Sequence, residues 1–287
     1  MTTRYVAKLG LGVLDSRAPA IRADDSGLTR GDGCFEGCRI VVDHAGVARV
    51  DKLDAHLARM QRSAAALEIP FDEPAWRDLI TQGLAAMHEP GELAMKLLLS
   101  RGTVDVGPTG LLTIGELPPQ YARQRRDGLR LITLSRGTAT DAFTDAPWLL
   151  GGVKTLSYAV NMAAQREAER RGCDDVIFVD ATGQVLEAPT SSVVWAVGRL
   201  LRTTPLGGTG ILGGTTQQLL FERASAAGWD CGEASAHVDD LHAAEVLWLI
   251  GSVRGPVDVI ELDGHARTRR VDVDREIRAL AGFAVAD

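Results

Sequence analysis

The spacing of apolar residues changes repeatedly along this chain, and the changes mark out its elements. Short apolar runs at 39–42 and 47–50 flank Asp43-His44-Ala45-Gly46, a turn sequence, and predict a hairpin. Leu53, Leu57, Met60, Ala64 and Leu67 recur at helical spacing ahead of Pro70, and residues 74–87 predict a second helix of weaker period. Residues 93–99 and 111–114 read as strands. A polar stretch, Pro118 to Gly128, opens with paired prolines and carries three arginines and an aspartate; its composition is that of a linker.

Beyond it, 129–134 reads as a strand, followed by a long loop over 135–153 rich in Gly, Thr, Asp and Pro. Loops of that length in compact domains are often functional. A helix is predicted over 156–171, closed by Gly172. Residues 175–179 and 184–186 flank the turn Asp180-Ala181-Thr182-Gly183, and 192–197 and 200–203 turn at Gly198-Arg199. A glycine-rich loop at 207–214 leads into a helix over 215–227. Late strands at 245–250 and 257–262 precede a C-terminal helix over 272–282. No internal repeat is visible. The pattern is mixed α and β with many hairpins, without the regular strand–helix alternation of a doubly wound sheet and with no βαβ unit expected around the 207–214 glycines.

Composition narrows the function classes. The chain has 287 residues, 45% hydrophobic and 24% charged, as globular proteins do. No stretch approaches the ~18 apolar residues of a membrane-spanning helix, and the N-terminus lacks the pattern of a secretory signal. A cytoplasmic protein without membrane association is expected. Thirty-one basic against 38 acidic residues give a net charge of −7, a poor basis for general nucleic-acid binding. The arginines at 123, 125 and 126 lack interleaved aromatics and are expected to be solvated.

The four cysteines, Cys34, Cys38, Cys173 and Cys231, form no zinc pattern and read as reduced thiols. The six histidines show no H-E-x-x-H, and no G-x-S-x-G elbow is present. No metal is expected. Of the basic residues only Lys8, Lys52, Lys96 and Lys154 are lysines, so an amine nucleophile has four candidates. Lys154 stands apart. It follows the long loop and Gly151-Gly152, and it sits among small and apolar residues, where desolvation makes an amine nucleophilic. The alternative is a surface lysine before a helix. Gly152-Val153-Lys154-Thr155 is not the end of a phosphate-binding loop: Val precedes the lysine, and Trp148 stands where the first glycine belongs.

Gly208-Thr209-Gly210-Ile211-Leu212-Gly213 matches G-x-G-x-x-G, with Asp230 about 20 residues on, and supports a nicotinamide-dependent oxidoreductase as a distant alternative. The same segment has a second reading: N–H groups at the start of the next helix, with Thr215 and Thr216, can hold one phosphate monoester. A plain helix cap is the third.

Taken in order, Gly31-Asp32-Gly33-Cys34-Phe35-Glu36, His56-Leu57-Ala58-Arg59-Met60, Lys154 with Tyr158, Gly183-Gln184-Val185-Leu186-Glu187 and Gly210-Ile211-Leu212-Gly213-Gly214-Thr215-Thr216 resemble the class IV (fold-type IV) pyridoxal-phosphate enzymes. That family includes aminodeoxychorismate lyases and D-amino acid and branched-chain aminotransferases. The resemblance spans about residues 24–264. It implies pyridoxal 5′-phosphate as cofactor and an α+β fold: a small N-terminal α/β domain over 1–117, a linker over 118–128, and a larger barrel-like α/β domain over 129–287 carrying the lysine. It implies a homodimer as well.

Carried over by residue, the resemblance makes Lys154 the Schiff-base lysine and Glu187 the carboxylate that keeps the pyridine nitrogen protonated. Arg59 grips the phosphate, with Thr215, Thr216 and Ser252 completing its cup, and Tyr158 bonds the cofactor phenolate. For a small amino substrate with a carboxylate, Arg101 in Leu99-Ser100-Arg101-Gly102 and Arg39 in Phe35-Glu36-Gly37-Cys38-Arg39 are the cationic candidates. The leading expectation is a 4-amino-4-deoxychorismate lyase of folate synthesis, releasing pyruvate and forming 4-aminobenzoate. The alternative is an aminotransferase acting on D-amino or branched-chain amino acids.

Overall fold

The computed structural model describes residues 3–283. By contacts the chain divides into two units: Met1–Pro119 with Val153–Tyr158, and Gln120–Gly152 with Ala159–Asp287.

The first unit is built on one antiparallel sheet. Its elements are β1 (Thr3–Lys8), β2 (Gly12–Leu14), α1 (Ser26–Arg30), β3 (Gly33–Val42), β4 (Ala48–Val50), α2 (Leu53–Ala66), α3 (Glu73–Ala85), β5 (Gly91–Thr103) and β6 (Gly107–Glu116). The sheet order is β2-β1-β6-β5-β3-β4. The predicted hairpin at 43–46 closes β3 on β4. The register of β3 on β5 runs unbroken from Gly33 opposite Ser100 to Val42 opposite Gly91, so alternate residues of β3 share one face over its whole length. Cys34, Glu36, Cys38 and Ile40 are on that shared face, all fully buried.

The two helices form as their patterns predict. In α2, Leu57, Met60 and Ala64 face the core with β3. The buried stripe is not purely apolar, because His56, Arg59 and Ser63 lie on it too. In α3, Asp72 caps the N-terminus by accepting from Ala75 N, and Trp76, Leu79 and Ile80 are buried.

The second unit comprises α4 (Gln120–Asp127), β7 (Leu129–Ser135), α5 (Ala159–Arg170), β8 (Asp175–Val179), β9 (Ser192–Val197), β10 (Leu200–Thr203), α6 (Thr215–Ala226), β11 (Asp230–Glu233), α7 (Val238–Ala243), β12 (Val246–Gly251), β13 (Gly255–Leu262), β14 (His265–Ala266) and α8 (Val271–Leu280). Its sheet runs β11-β10-β9-β12-β13-β7-β8, with β14 on β13. Apolar clusters line the sheet, among them Leu131, Ile177, Leu247 and Val257 in one, and Leu201, Leu220, Trp248 and Ile277 in another. The architecture is α+β with curled sheets, as expected.

Three expectations are corrected. Residues 120–127, read as linker, form α4. Arg125 and Arg126 lie in its last turn, where cations favour a helix C-terminus. The helix expected from 156 begins at Ala159, because Val153–Tyr158 is drawn onto β3: Phe35 N donates to Lys154 O at 3.0 Å and Leu156 N to Gly33 O at 2.8 Å. A βαβ unit surrounds the 207–214 glycines where none was expected, since β11 pairs in parallel with β10 across α6; β8 likewise pairs in parallel with β7 across α5.

Candidate active site

Of the four lysines only Lys154 is buried; Lys96 is exposed, and Lys8 and Lys52 are half-buried. Its backbone N–H donates to Ser63 Oγ at 3.2 Å, and its carbonyl accepts from Phe35. Its Nζ lies 3.1 Å from Tyr158 Oη and 4.4 Å from the centre of the Phe35 ring. Phe35 and Tyr158 meet edge to face at 4.9 Å. An ammonium over a ring face is stabilised by the ring quadrupole, and the aromatic pair keeps the amine in one place.

Beside it is a buried polar cluster. Glu36, on β3, accepts from Arg59 Nε and Nη2 at 2.7 Å each and meets His56 Nδ1 at 2.7 Å. Burial pushes the Glu36 carboxyl upward, but Arg59 and His56 outweigh it and hold the group down at about 2. Burial lowers His56 against the pull of Glu36, so the ring is neutral at pH 7 and its Nδ1–H is the proton that serves Glu36. Burial opposes the charge on Arg59, and Glu36 more than restores it. Burial, with Glu36 nearby, pushes the Cys34 thiol up to about 12 and Cys38 well above its usual value. Glu36, Cys38 and His56 offer ligand atoms within 4.8 Å of one another, but both Glu36 oxygens already accept charged or ring N–H donors, which disfavours a cation there.

The remaining candidates are in the second unit. Glu187 follows the turn after β8, half-buried, with Oε2 accepting from Leu212 N at 3.1 Å. Thr215 and Thr216 open α6, and both hydroxyls meet Ser252 Oγ, at 2.9 and 3.0 Å. Gly214 is the N-cap and offers no side-chain cap. A Cβ there would stand 2.4 Å from Ser192 Oγ, so a larger residue would have to turn that hydroxyl aside. Three hydroxyls thus converge at the first turn of a twelve-residue helix, where unpaired N–H groups and the helix dipole favour an anion.

The two substrate candidates are both in the first unit. Arg39 is buried and ion-paired with Asp51 and Glu92. Those carboxylates account for its charge without a ligand. Arg101 is nearly half exposed and donates to Asp32 and to Leu67 O.

The G-x-G-x-x-G match has a different explanation from the one it suggested. Gly210 (φ 69°) lies under the Phe143 ring, where a Cβ would come within 2.3 Å of Cδ2. Phe143 N donates to Gly208 O and Gly152 N to Gly210 O. These glycines let the 135–153 loop lie against them. Asp230 starts β11 rather than ending it, and it is engaged by Arg202. A ribose-binding acid belongs at the far end of such a strand. The oxidoreductase reading is therefore set aside.

Glu36 and Ser63 were not singled out by role from the sequence. Their signal was present: polar residues on the buried stripe of α2, and an acid in the inward register of β3.

Residues 33–262 match the family described as amino-transferase class IV. The chain is 40% identical over 268 residues to the bifunctional aminodeoxychorismate lyase / D-amino acid transaminase of Mycobacterium tuberculosis, covering 90% of this chain and 91% of that one. The chain belongs to the class IV aminotransferases.

Solved class IV structures agree in fold. A fold IV transaminase from Curtobacterium pusillum superposes with a TM-score of 0.89 at 36% identity, covering 97% of each chain. An aminotransferase from Mycobacterium tuberculosis, solved in a PLP-bound form and in an α-ketoglutarate and PMP bound form, gives 0.88 at 38% identity over 96% of this chain and 98% of that one. Class IV enzymes use pyridoxal 5′-phosphate, and this chain is a pyridoxal-phosphate-dependent enzyme. Each unit by itself carries donors of the kinds that cofactor takes: a buried amine and an arginine in the first, and a carboxylate and a trio of hydroxyls at a helix N-terminus in the second. Among the described residues no helix is long and apolar enough to cross a membrane.

Proposed function

We propose that this class IV enzyme is a 4-amino-4-deoxychorismate lyase, forming 4-aminobenzoate and pyruvate for folate synthesis as a cytoplasmic homodimer. The observation that carries the reading is the setting of Lys154: the one buried lysine, held between two aromatic rings with its amine against a tyrosine hydroxyl. Bound pyridoxal phosphate supplies an electron sink for the charge left when a proton leaves the amine-bearing carbon.

The rest of the chemistry comes from this chain's own side chains. Lys154 would be the amine that holds the cofactor and the base that takes the proton from the amine-bearing carbon. Tyr158 positions that amine and would bond the cofactor phenolate. Glu187 would keep a proton on the pyridine nitrogen. Arg59, Thr215, Thr216 and Ser252 would hold the phosphate, and Arg101 would meet a substrate carboxylate. Arg39, engaged by Asp51 and Glu92, is the weaker of the two carboxylate candidates.

A second reading, aminotransferase, is supported by the relative whose name couples both activities and by Phe35-Glu36-Gly37-Cys38-Arg39, which resembles the branched-chain branch. In that case Lys154 would hand on the proton it has taken, and the product would be a 2-oxo acid.

Two measurements test these assignments. Borohydride reduction followed by peptide mapping is expected to fix the cofactor on Lys154; labelling at another lysine overturns the reading. Incubation with aminodeoxychorismate alone is expected to yield pyruvate and 4-aminobenzoate over many turnovers. If only D-amino acids with a 2-oxo acid acceptor turn over, the transaminase reading replaces it.

A further inference from the structure

The hydroxyl trio depends on Ser252, and Ser252 sits in the short turn between β12 and β13. Such a turn would ordinarily be mobile. Here it is tied down from two sides. Arg125, on α4, donates from Nε to Arg254 O at 2.7 Å and from Nη2 to Val253 O at 2.9 Å. Arg254 points the other way, and its Nη2 donates to Asp175 at 2.9 Å and to Ser191 Oγ at 3.1 Å. Asp175 starts β8 and is fully buried, and Arg254 is 6% exposed. Arg125 is itself held: its carbonyl accepts from Arg278 Nη2 at 2.6 Å, and Arg278 is paired with Asp274 on α8. All of these residues belong to the second unit.

We infer that Arg125 and the Arg254–Asp175 pair are positioning residues for phosphate recognition. They hold the 252–254 turn so that Ser252 Oγ stays within reach of both Thr215 and Thr216. The proposal rests on the reading of those hydroxyls as the phosphate cup. Its physical basis is that both groups act on the turn's backbone and flank. Two carbonyls of a three-residue segment accept from one planar guanidinium, whose fork fixes their direction as well as their distance. Arg254, which bears one of those carbonyls, anchors the same segment through its side chain in a buried ion pair, which has one good geometry and is costly to leave. Neither residue need touch the ligand. The arginine-rich stretch that composition alone assigned to a solvated linker thereby acquires a specific part: Arg125 is half-buried and directed inward.

The test compares pyridoxal phosphate with pyridoxal, which lacks the phosphate, by titrating each into the cofactor-free protein and following absorbance. Arg125→Ala is expected to raise the Kd for pyridoxal phosphate about tenfold and to leave that for pyridoxal within about twofold. Arg125→Lys, which cannot serve both carbonyls in one plane, is expected to fall between. Ser191→Ala, which removes one acceptor from Arg254 and little volume, serves if Arg125→Ala does not fold, with a smaller loss of the same selectivity.

Ser252→Ala is the control for the underlying reading. If it loses no selectivity for the phosphate, both the cup and the positioning role fall. If it loses selectivity while Arg125→Ala, Arg125→Lys and Ser191→Ala keep it, or lose both ligands equally, the cup stands and the positioning role falls.

Discussion

Replacing Glu36 by Gln removes one negative charge from a cluster where the described surroundings supply N–H donors. Three donors meet its two oxygens: Arg59 Nε, Arg59 Nη2 and His56 Nδ1. Glutamine offers one oxygen and turns an NH2 toward the rest. It also leaves the Arg59 cation, 6% exposed, without its carboxylate. Breaking a buried pair in this way costs about 3–5 kcal/mol. Linkage gives a second route to the magnitude. The carboxyl is held at about 2 against an ordinary 4.5, and at 1.36 kcal/mol per pH unit that gap is worth roughly 3 kcal/mol. The folded value is the lower one, so this stability is complete above about 4.5 and is lost as pH falls through about 2. The difference in unfolding free energy between wild type and Glu36→Gln is therefore expected to be about 3 kcal/mol at pH 7. At pH 3 it should be smaller by about 2 kcal/mol. Urea unfolding of the cofactor-free protein at the two pH values measures this without ligand linkage. A difference under about 1 kcal/mol at pH 7, or one identical at both pH values, would refute the reasoning.

Other expectations follow from single contacts. Gly210→Ala places a Cβ within 2.3 Å of the Phe143 ring at a φ of 69°; a loss of about 1–3 kcal/mol and faster proteolysis within 135–153 are expected, and an unchanged melting temperature contradicts the packing argument. Arg39→Ala removes a buried guanidinium from Asp51 and Glu92, which are partly exposed, and Asp51 keeps Arg49, so stability should fall by about 1–3 kcal/mol with KM for the amino substrate within about twofold. A large rise in KM at unchanged stability would restore Arg39 as a substrate ligand. Iodoacetamide on the native protein should modify Cys173 and Cys231 and spare Cys34 and Cys38, which are buried with thiols raised by that burial; mass spectrometry showing Cys34 or Cys38 labelled as readily overturns this.

The elements legible in the sequence were those with a long, unbroken period. The stripe from Leu53 to Leu67 became α2, and the turn at 43–46 became the β3–β4 hairpin. The short elements escaped. β2 has three residues, β11 four and α1 five, too few for any period to show. The start of α5, expected at 156, was misplaced because Leu156–Tyr158 continues a segment bonded to β3. Such long-range pairing leaves no local trace. Among site residues, Lys154 was legible because lysines are scarce here and its neighbours are small and apolar. Glu36 and Ser63 were not, because a polar residue on an apolar stripe declares that it has a partner without saying which.

By itself, then, the sequence determined the family, through ordered motifs, and the short set of amines available to it. The motifs carry a family resemblance and composition limits the amines to four, and both are read along the chain without its fold. Which charges are paired was decided only by tertiary structure. Arg39 and Arg59 are both arginines beside apolar residues. One is held by Asp51 and Glu92 and the other by Glu36. Arg125, in a stretch that reads as solvated, is turned onto a turn 128 residues away. Electrostatic and hydrogen-bond energies depend on separations of a few ångströms, and those separations are set by strand register and helix packing across long stretches of chain.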